Sequence, residues 1–337
     1  NMKRNNLSIL SFLLILLCTS SLVMAQNVKD FKVKMLGPAN LNFRKSPKRI
    51  VISDFQVNFQ TALQLEDKKA GGKMWRGGLK GDAKASLTLV LDGLQIDDLQ
   101  ELTDKLFEQY KANLKSKGFE IISIDELWNH GAYVKNREKR WELRAGQGGE
   151  KGEEFGAIIM RPTSQKFIVA KQSMDNKKTG PLKIANYEEQ VEMKVSNGKK
   201  DFIFNKVVLN VQAFDNALSE TSRSLNRMAG YAQVKADTDF KINESSFNRF
   251  NIGQMIVRGG VEVADVLKKQ KFDASQAADV DKRGTDAGVF HVWRVEDKED
   301  INVTVVKCNP EIYKKGAEIG IDAFLDATID KLVDKSN

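Results

Sequence analysis

Two histidines, His130 and His291, and two cysteines, Cys18 and Cys308, are the only side chains of their kinds in this chain. A histidine exchanges protons near neutrality and binds transition metals, and a thiolate is a nucleophile. Both roles need companions at defined spacing. The sequence holds no HExxH, no CxxC and no histidine pair at ligand spacing. It also lacks the GxSxG turn that exposes a serine nucleophile. His130 falls in Asn-His-Gly, which reads as a surface turn, and His291 falls in a run that reads as a strand. Cys308 closes the apolar run from Ile301 and reads as a buried thiol; a thiol enzyme would need a histidine beside it. Asp54 is the most notable carboxylate, because it follows the apolar start of the strand from Arg49. A charge deep in a sheet is costly without a partner, so Asp54 reads as a polar residue at a strand end. No catalytic, cofactor-binding or metal-ligating residue is assigned, and no cofactor is expected.

The Gly-rich stretch GGKMWRGGLKGDAK (71–84) lacks the GKS or GKT ending of a phosphate loop and leads into a strand, not a helix. Lys and Arg number 53 against 45 Asp and Glu, a net charge of +8 scattered in mixed sign. Aromatic residues do not interleave with the basic ones, so no nucleic acid is expected as a partner.

The elements that must position these residues follow from periodicity. Arg49 to Phe59 begins as a continuous apolar run and then alternates, which predicts a strand. Residues 66–84 read as a flexible Lys- and Gly-rich loop, after which Ala85 to Leu91 alternates again, so that the two strands pair as a hairpin. Asp97 to Lys117 predicts a helix, with Leu99, Leu102, Leu106, Tyr110 and Leu114 in one stripe and Gly118 as its stop. A short buried strand (Phe119 to Ile124) and a helical stretch carrying Trp128 and Trp141 come next. Residues 144–156 read as a second loop. Strands are expected over Phe155–Met160, Phe167–Ala170, Glu188–Val195 and Phe202–Phe214. Arg227 to Asn243 alternates cleanly, with Met228, Ala232, Val234, Ala236, Phe240 and Ile242 on one face. A strand and short helix over 253–269, strands over Val289–Val295 and Ile301–Cys308, and a helix opened by Pro310 complete the chain. The fold class is α+β (mixed α/β): a sheet packed with helices on one or both faces, a strand-rich second half and a closing C-terminal helix.

Residues 1–25 read as a cleavable signal peptide. Lys3 and Arg4 form its basic start, Leu7 to Cys18 its apolar core, and Val23-Met24-Ala25 its cleavage site. Leu17 is too large to precede a lipid-accepting cysteine, so Cys18 is not expected to carry lipid. Cleavage leaves Cys308 alone, so the exported body holds together by its core and not by an intrachain disulfide. Residues 26–337 read as one large α/β domain, within which 26–143 is a strand–helix–strand part and 155–337 a strand-rich part ending in the C-terminal helix. No later run is long and apolar enough for a transmembrane helix.

The pieces RIVISDF and DDLQELTDKLFEQYKANLKSKGFEIISIDEL, covering roughly residues 49–127, resemble the CsgG-like and TolB amino-terminal superfamily of envelope proteins. The resemblance implies this strand–helix–strand fold and an envelope compartment, and it carries over no functional residue. It is interrupted by the Lys- and Gly-rich insertion. The resulting expectation is an exported, non-enzymatic cell-envelope or secreted protein that acts by binding or assembly, in the periplasm, at the outer membrane or outside the cell. Self-assembly or envelope proteins would be its partners. Two alternatives stay open: an outer-membrane-associated ring or pore subunit built on the alternating strands, and an exported hydrolase with a carboxylate site the sequence does not identify.

Overall fold

The computed structural model describes residues 27–37, 43–73, 79–135, 140–146, 150–151, 156–171, 178–179, 185–277, 280–281 and 298–337. The signal-peptide reading, His291 and the strand expected over Val289–Val295 lie outside them. The strands used below are β1 (Val33–Leu36), β2 (Arg49–Gln60), β3 (Ala62–Lys69), β4 (Ala83–Asp92), β5 (Glu120–Ile122), β6 (Trp141–Ala145), β7 (Ala157–Met160), β8 (Lys166–Ala170), β9 (Ile203–Asn216), β10 (Tyr231–Ile242), β11 (Phe247–Phe250), β12 (Gly253–Val257), β13 (Val261–Glu262), β14 (Lys271–Ala277) and β15 (Lys298–Lys307). The helices are α1 (Ile96–Ser116), α2 (Ile124–Trp128), α3 (Gly131–Val134), α4 (Tyr187–Val195), α5 (Glu220–Ala229) and α6 (Pro310–Ser336). The fold is α+β, with mixed sheets and a closing C-terminal helix.

The central sheet runs β1-β12-β11-β9-β2-β7, and two of its long strands, β2 and β9, lie parallel. Their ladder pairs Asn205 with Ile52 and then Lys206 with Asp54, passing over Ser53. This single extra residue reverses which face each later side chain of β2 takes. Ile50 and Ile52 before it, and Phe55, Val57 and Phe59 after it, all join the main core. Val51 joins a second, smaller core with Phe204, Trp141, Tyr133, Ile168 and Val191. The change from a continuous apolar run to alternation at Asp54 is the sequence trace of this bulge.

Helices α1 and α6 cover the main-core face. The Leu stripe of α1 is buried as its spacing predicts, and Asn309 caps α6 by accepting from the backbone of Glu311 and Ile312 ahead of Pro310. Gly316 and Gly320 let α6 approach the sheet. A Cβ at Gly316 would lie 2.3 Å from Val266 Cγ2, and one at Gly320 would lie 2.8 Å from Val263 Cγ2. Beyond Thr61, β3 leaves the central sheet and pairs antiparallel with β4, which pairs parallel with β15. This three-stranded sheet packs on β10 and β14, and Ala85, Leu87, Leu89, Ala232, Val234 and Ala274 fill the space between.

A polar island interrupts the main core. The Tyr110 hydroxyl donates to Asn205 Oδ1 at 3.0 Å and accepts from Asn248 Nδ2 at 3.1 Å, and Asn248 also donates to Thr328 Oγ1 at 2.9 Å. The equally buried Tyr313 hydroxyl has no hydrogen-bond partner among the described residues. Hydroxyl removal should therefore separate the two tyrosines. Tyr110→Phe is expected to lower the unfolding free energy by about 1–2 kcal/mol, because it strands the amides of Asn205 and Asn248. Tyr313→Phe should change it by less than about 0.5 kcal/mol, since no bond is lost. Urea denaturation of the two variants side by side measures the contrast.

Several sequence expectations are corrected. Glu188–Val195 is helix and not strand: Tyr187, Val191 and Val195 fall four residues apart, on one helical face. Residues 66–84 are not a loop throughout, since β3 runs to Lys69 and β4 starts at Ala83 in one continuous ladder. Trp141 opens a strand, and Glu120–Ile122 is half-buried and not buried on both faces. No helix forms over the described residues 264–269. The strand expected from Arg227 starts at Tyr231. Met228 belongs instead to α5, which ends at Gly230 in the left-handed conformation that favours glycine.

Candidate functional site

The second face of the central sheet gathers the unusual chemistry. Because the bulge at Ser53 turns Asp54 away from the main core, Asp54 stands in mid-strand beside Lys206, not at the end of a strand. It is almost fully buried, and its carboxylate takes two bonds from one guanidinium: Arg161 Nε to Oδ1 at 2.8 Å and Arg161 Nη2 to Oδ2 at 3.3 Å. Gln56 Oε1 accepts a further bond from Arg161 at 2.7 Å.

Next to this pair, α4 lays two carboxylates on two cations of the sheet. Lys206 Nζ donates to both oxygens of Glu188, at 3.1 and 3.2 Å. Arg249 donates to Glu192 at 2.5 and 3.1 Å and to Glu188 at 3.3 Å. Ser53 Oγ reaches Glu192 at 3.3 Å. Glu188 and Glu192 are one helical turn apart, so both point down the same face of α4. Burial alone would raise the Glu188 carboxyl, yet Lys206 and Arg249 hold it below its ordinary value. At Glu192 burial outweighs Arg249, Glu188 adds its repulsion, and the carboxyl is pushed up to about 7. Burial likewise disfavours the charged Lys206, but Glu188 and Asp54 outweigh it and keep the ammonium protonated. The three cations and three carboxylates neutralise one another within hydrogen-bond reach. Such an arrangement fastens a helix to a sheet; it leaves no carboxylate poised over open space for acid–base work.

Farther along the same face, amides form a chain of donors and acceptors. Gln56 Nε2 donates to Asn58 Oδ1 at 2.6 Å, Asn58 Nδ2 to Asn210 Oδ1 at 2.7 Å, and Asn210 Nδ2 to Ser245 Oγ at 2.9 Å. In the smaller core, the rings of Trp128, Tyr133, Trp141 and Tyr187 contact in succession, with Arg140 4.3 Å over the Tyr187 ring.

Of the residues weighed from the sequence, His130, Cys308 and Asp54 are not brought together into a site, and His291 lies outside the described residues. His130 is exposed and caps α3, its Nδ1 accepting from the Ala132 amide at 3.2 Å. Cys308 is half-buried, and burial first, then Asp92, raises its thiol. Among the described residues no group of three or more His, Cys, Asp or Glu side chains is placed to hold a metal ion. The ionic cluster escaped sequence reasoning because its two glutamates lie in a segment read as strand. Their i, i+4 spacing was the available signal.

One further feature faces solvent. Helix α5 has no buried residue. It is tied down by its polar side: Arg227 Nε donates to the buried Asp67 of β3 at 2.6 Å, and Asn226 donates to Gln233 at 2.8 Å. Leu225 and Met228 are left 61 % and 81 % exposed, with Tyr231 exposed just beyond the helix.

Comparison with protein-family models, with curated proteins and with solved structures gives no match for this chain.

Proposed function

We propose that this is an exported, non-enzymatic protein of the cell envelope or its surroundings that works by binding or assembly. Helix α5 is the observation that carries this reading. An amphipathic helix in a monomeric soluble fold normally turns its apolar side inward. Here buried Asp67 and Arg227 hold the polar side against the body, and Leu225 and Met228 are offered outward as contact residues. The internal pairing of Asp54, Glu188 and Glu192 with cations argues in the same direction, since these carboxylates are committed to the fold. The leader pattern of residues 1–25 and the resemblance of residues 49–127 to CsgG-like and TolB amino-terminal domains support the compartment.

The test is made in cells. The tagged full chain is fractionated, and surface-accessible complexes are trapped with an amine-reactive crosslinker. The expected result is export with removal of the leader and a discrete crosslinked species, which Leu225→Asp with Met228→Asp abolishes while the purified variant keeps the parent's circular dichroism and melting temperature. Retention in the cytoplasm overturns the export part. A crosslinked species indifferent to both substitutions, or turnover in a hydrolase panel that is lost on changing one acidic residue, overturns the binding part.

A further inference from the structure

Helices α1 and α6 run side by side in the same direction, joined by polar side chains along their seam. At its start Lys314 Nζ donates to Asp98 at 3.0 Å. From there the contacts keep one offset: Lys105 with Glu318 at 2.7 Å, Asn113 with Asp326, and Lys117 with Asp330 at 2.7 Å, each pair 213 positions apart. Lys105, Gln109, Asn113 and Lys117 recur every four residues on α1, and Glu318, Asp322, Asp326 and Asp330 do so on α6. Residues at this spacing lie above one another, so each set is one row on its helix.

One rung of this ladder is not made. The offset sets Gln109 opposite Asp322, yet Gln109 Nε2 donates to Glu318 at 3.4 Å. Asp322 is half-buried and forms no hydrogen bond or ion pair among the described residues. Glu318 and Asp326, one turn away on either side, repel its charge, and Lys105 of α1 attracts it. Among the described residues β1, β10, β12 and β13, which α6 also packs against, add no charged group at this position. Burial first, then Glu318 and Asp326, outweigh Lys105 and push the carboxyl up to about 6. Asp326 is raised too, by burial first, but it keeps the Asn113 amide. Between the ordinary value of 3.8 and about 6, folded Asp322 holds a proton that the unfolded chain releases. Its contribution to stability is therefore present at acid pH and lost as pH rises through about 6. Protonated, the carboxyl is neutral and can donate to an amide oxygen of the α1 row. Ionised, it completes a row of four negative charges that α1 answers with two lysines, Lys105 and Lys117.

We infer that the seam between α1 and α6 is a proton-operated latch, fastened while Asp322 carries its proton and loosened at its middle rung once Asp322 is ionised. The apolar side of α6 stays on the main core in both states, and what changes is how often the seam opens. The latch goes beyond the binding reading and needs neither export nor a partner.

Amide hydrogen exchange on the purified full chain tests it, read as protection factors so that the intrinsic pH dependence of exchange is removed. Protection of the α6 amides from Glu318 to Asp330 is expected to fall roughly tenfold between pH 5 and pH 7.5, the factor that a rise from 3.8 to about 6 produces over that interval. Asp322→Asn cannot ionise and is expected to keep the acid level of protection at both pH values. Gln109→Lys, at an exposed position, supplies the missing cation and is expected to raise protection at pH 7.5. Neither substitution removes a buried apolar group, so both variants should fold as the parent does, and circular dichroism checks this. Parent protection that does not change between the two pH values overturns the latch. So does a change that persists in Asp322→Asn, or Gln109→Lys without effect at pH 7.5. A fall shared equally by the amides of β2 and β9 also overturns it, because the loss would then be global and belong to groups such as Glu192.

Discussion

Arg249→Met is expected to lower the unfolding free energy by about 3–5 kcal/mol, the range for leaving a buried charge without its partner. Arg249 serves two carboxylates at once, Glu192 through both of its terminal nitrogens and Glu188 through one. Lys206 remains for Glu188, so Glu192 bears most of the loss. Methionine fills a similar volume without charge, which keeps the cavity contribution small. The deficit should depend on pH with a definite sign. In the parent, Glu192 already titrates near 7, above the ordinary carboxylate value of 4.5. Between those values the folded state binds more protons than the unfolded chain, and this group's contribution to stability falls as pH rises. Removing Arg249 removes the influence that restrains the Glu192 carboxyl, so its titration moves higher still. At pH 5.5 the carboxyl is protonated in both proteins; at pH 8.5 the parent ionises it beside Arg249, whereas the variant must hold the proton or bury an unpaired charge. The destabilisation should therefore be clearly larger at pH 8.5 than at pH 5.5 in urea titrations of the two proteins. Glu188 has the opposite sign in the parent, since its lowered carboxyl gives stability that is lost as pH falls through the acidic range. Equal destabilisation at both pH values would mean that Arg249 acts through packing alone.

The same cluster shows where sequence reasoning reaches and where it stops. Long periodic segments were legible: the Leu stripe of α1, the alternation of β10 and the capped start of α6 each depend on residues close together in the chain. Asp54 was legible as unusual, because an aspartate behind Ile50, Val51 and Ile52 breaks the pattern of a buried strand. Its partner was not. Arg161 is brought to Asp54 by the antiparallel pairing of β7 with β2, a contact between segments about a hundred residues apart. Nothing local to Arg161 announces it. Segment α4 failed for another reason. Tyr-Glu-Glu-Gln-Val-Glu-Met-Lys-Val satisfies a strand pattern in part and a helical one in part, and Glu188 and Glu192 become partners of Lys206 and Arg249 only when the helical choice is made. The loop read over 66–84 shows tertiary override: Lys68 and Lys69 are poor strand residues, yet β3 extends through them because β4 supplies every ladder position.

The Asp54–Arg161 pair tests what such a buried charge contributes. Arg161→Leu should cost about 3–5 kcal/mol, because Asp54 stays deep in the sheet without its two guanidinium bonds. Lys206 is its neighbour in register, but Lys206 already holds both oxygens of Glu188 and cannot replace Arg161 without releasing that residue. Asp54→Leu should cost a comparable amount, because it removes the carboxylate that takes two bonds from the buried Arg161 guanidinium. The double variant is the informative one. With both charges gone, neither must be desolvated on folding, and apolar side chains of similar reach can occupy the space beside Val51 and Phe204. The double substitution is therefore expected to be less destabilising than either single one, which makes the coupling energy at least about 3–5 kcal/mol in a double-mutant cycle read by urea denaturation. Additive losses would show that Asp54 and Arg161 act independently. Recovery in the double variant would show that the pair contributes little net stability, and that its importance is to be correct as a pair: Arg161 fixes β7 against β2 at one register, since a shift of one residue would withdraw the guanidinium from Asp54 and turn it to the opposite face.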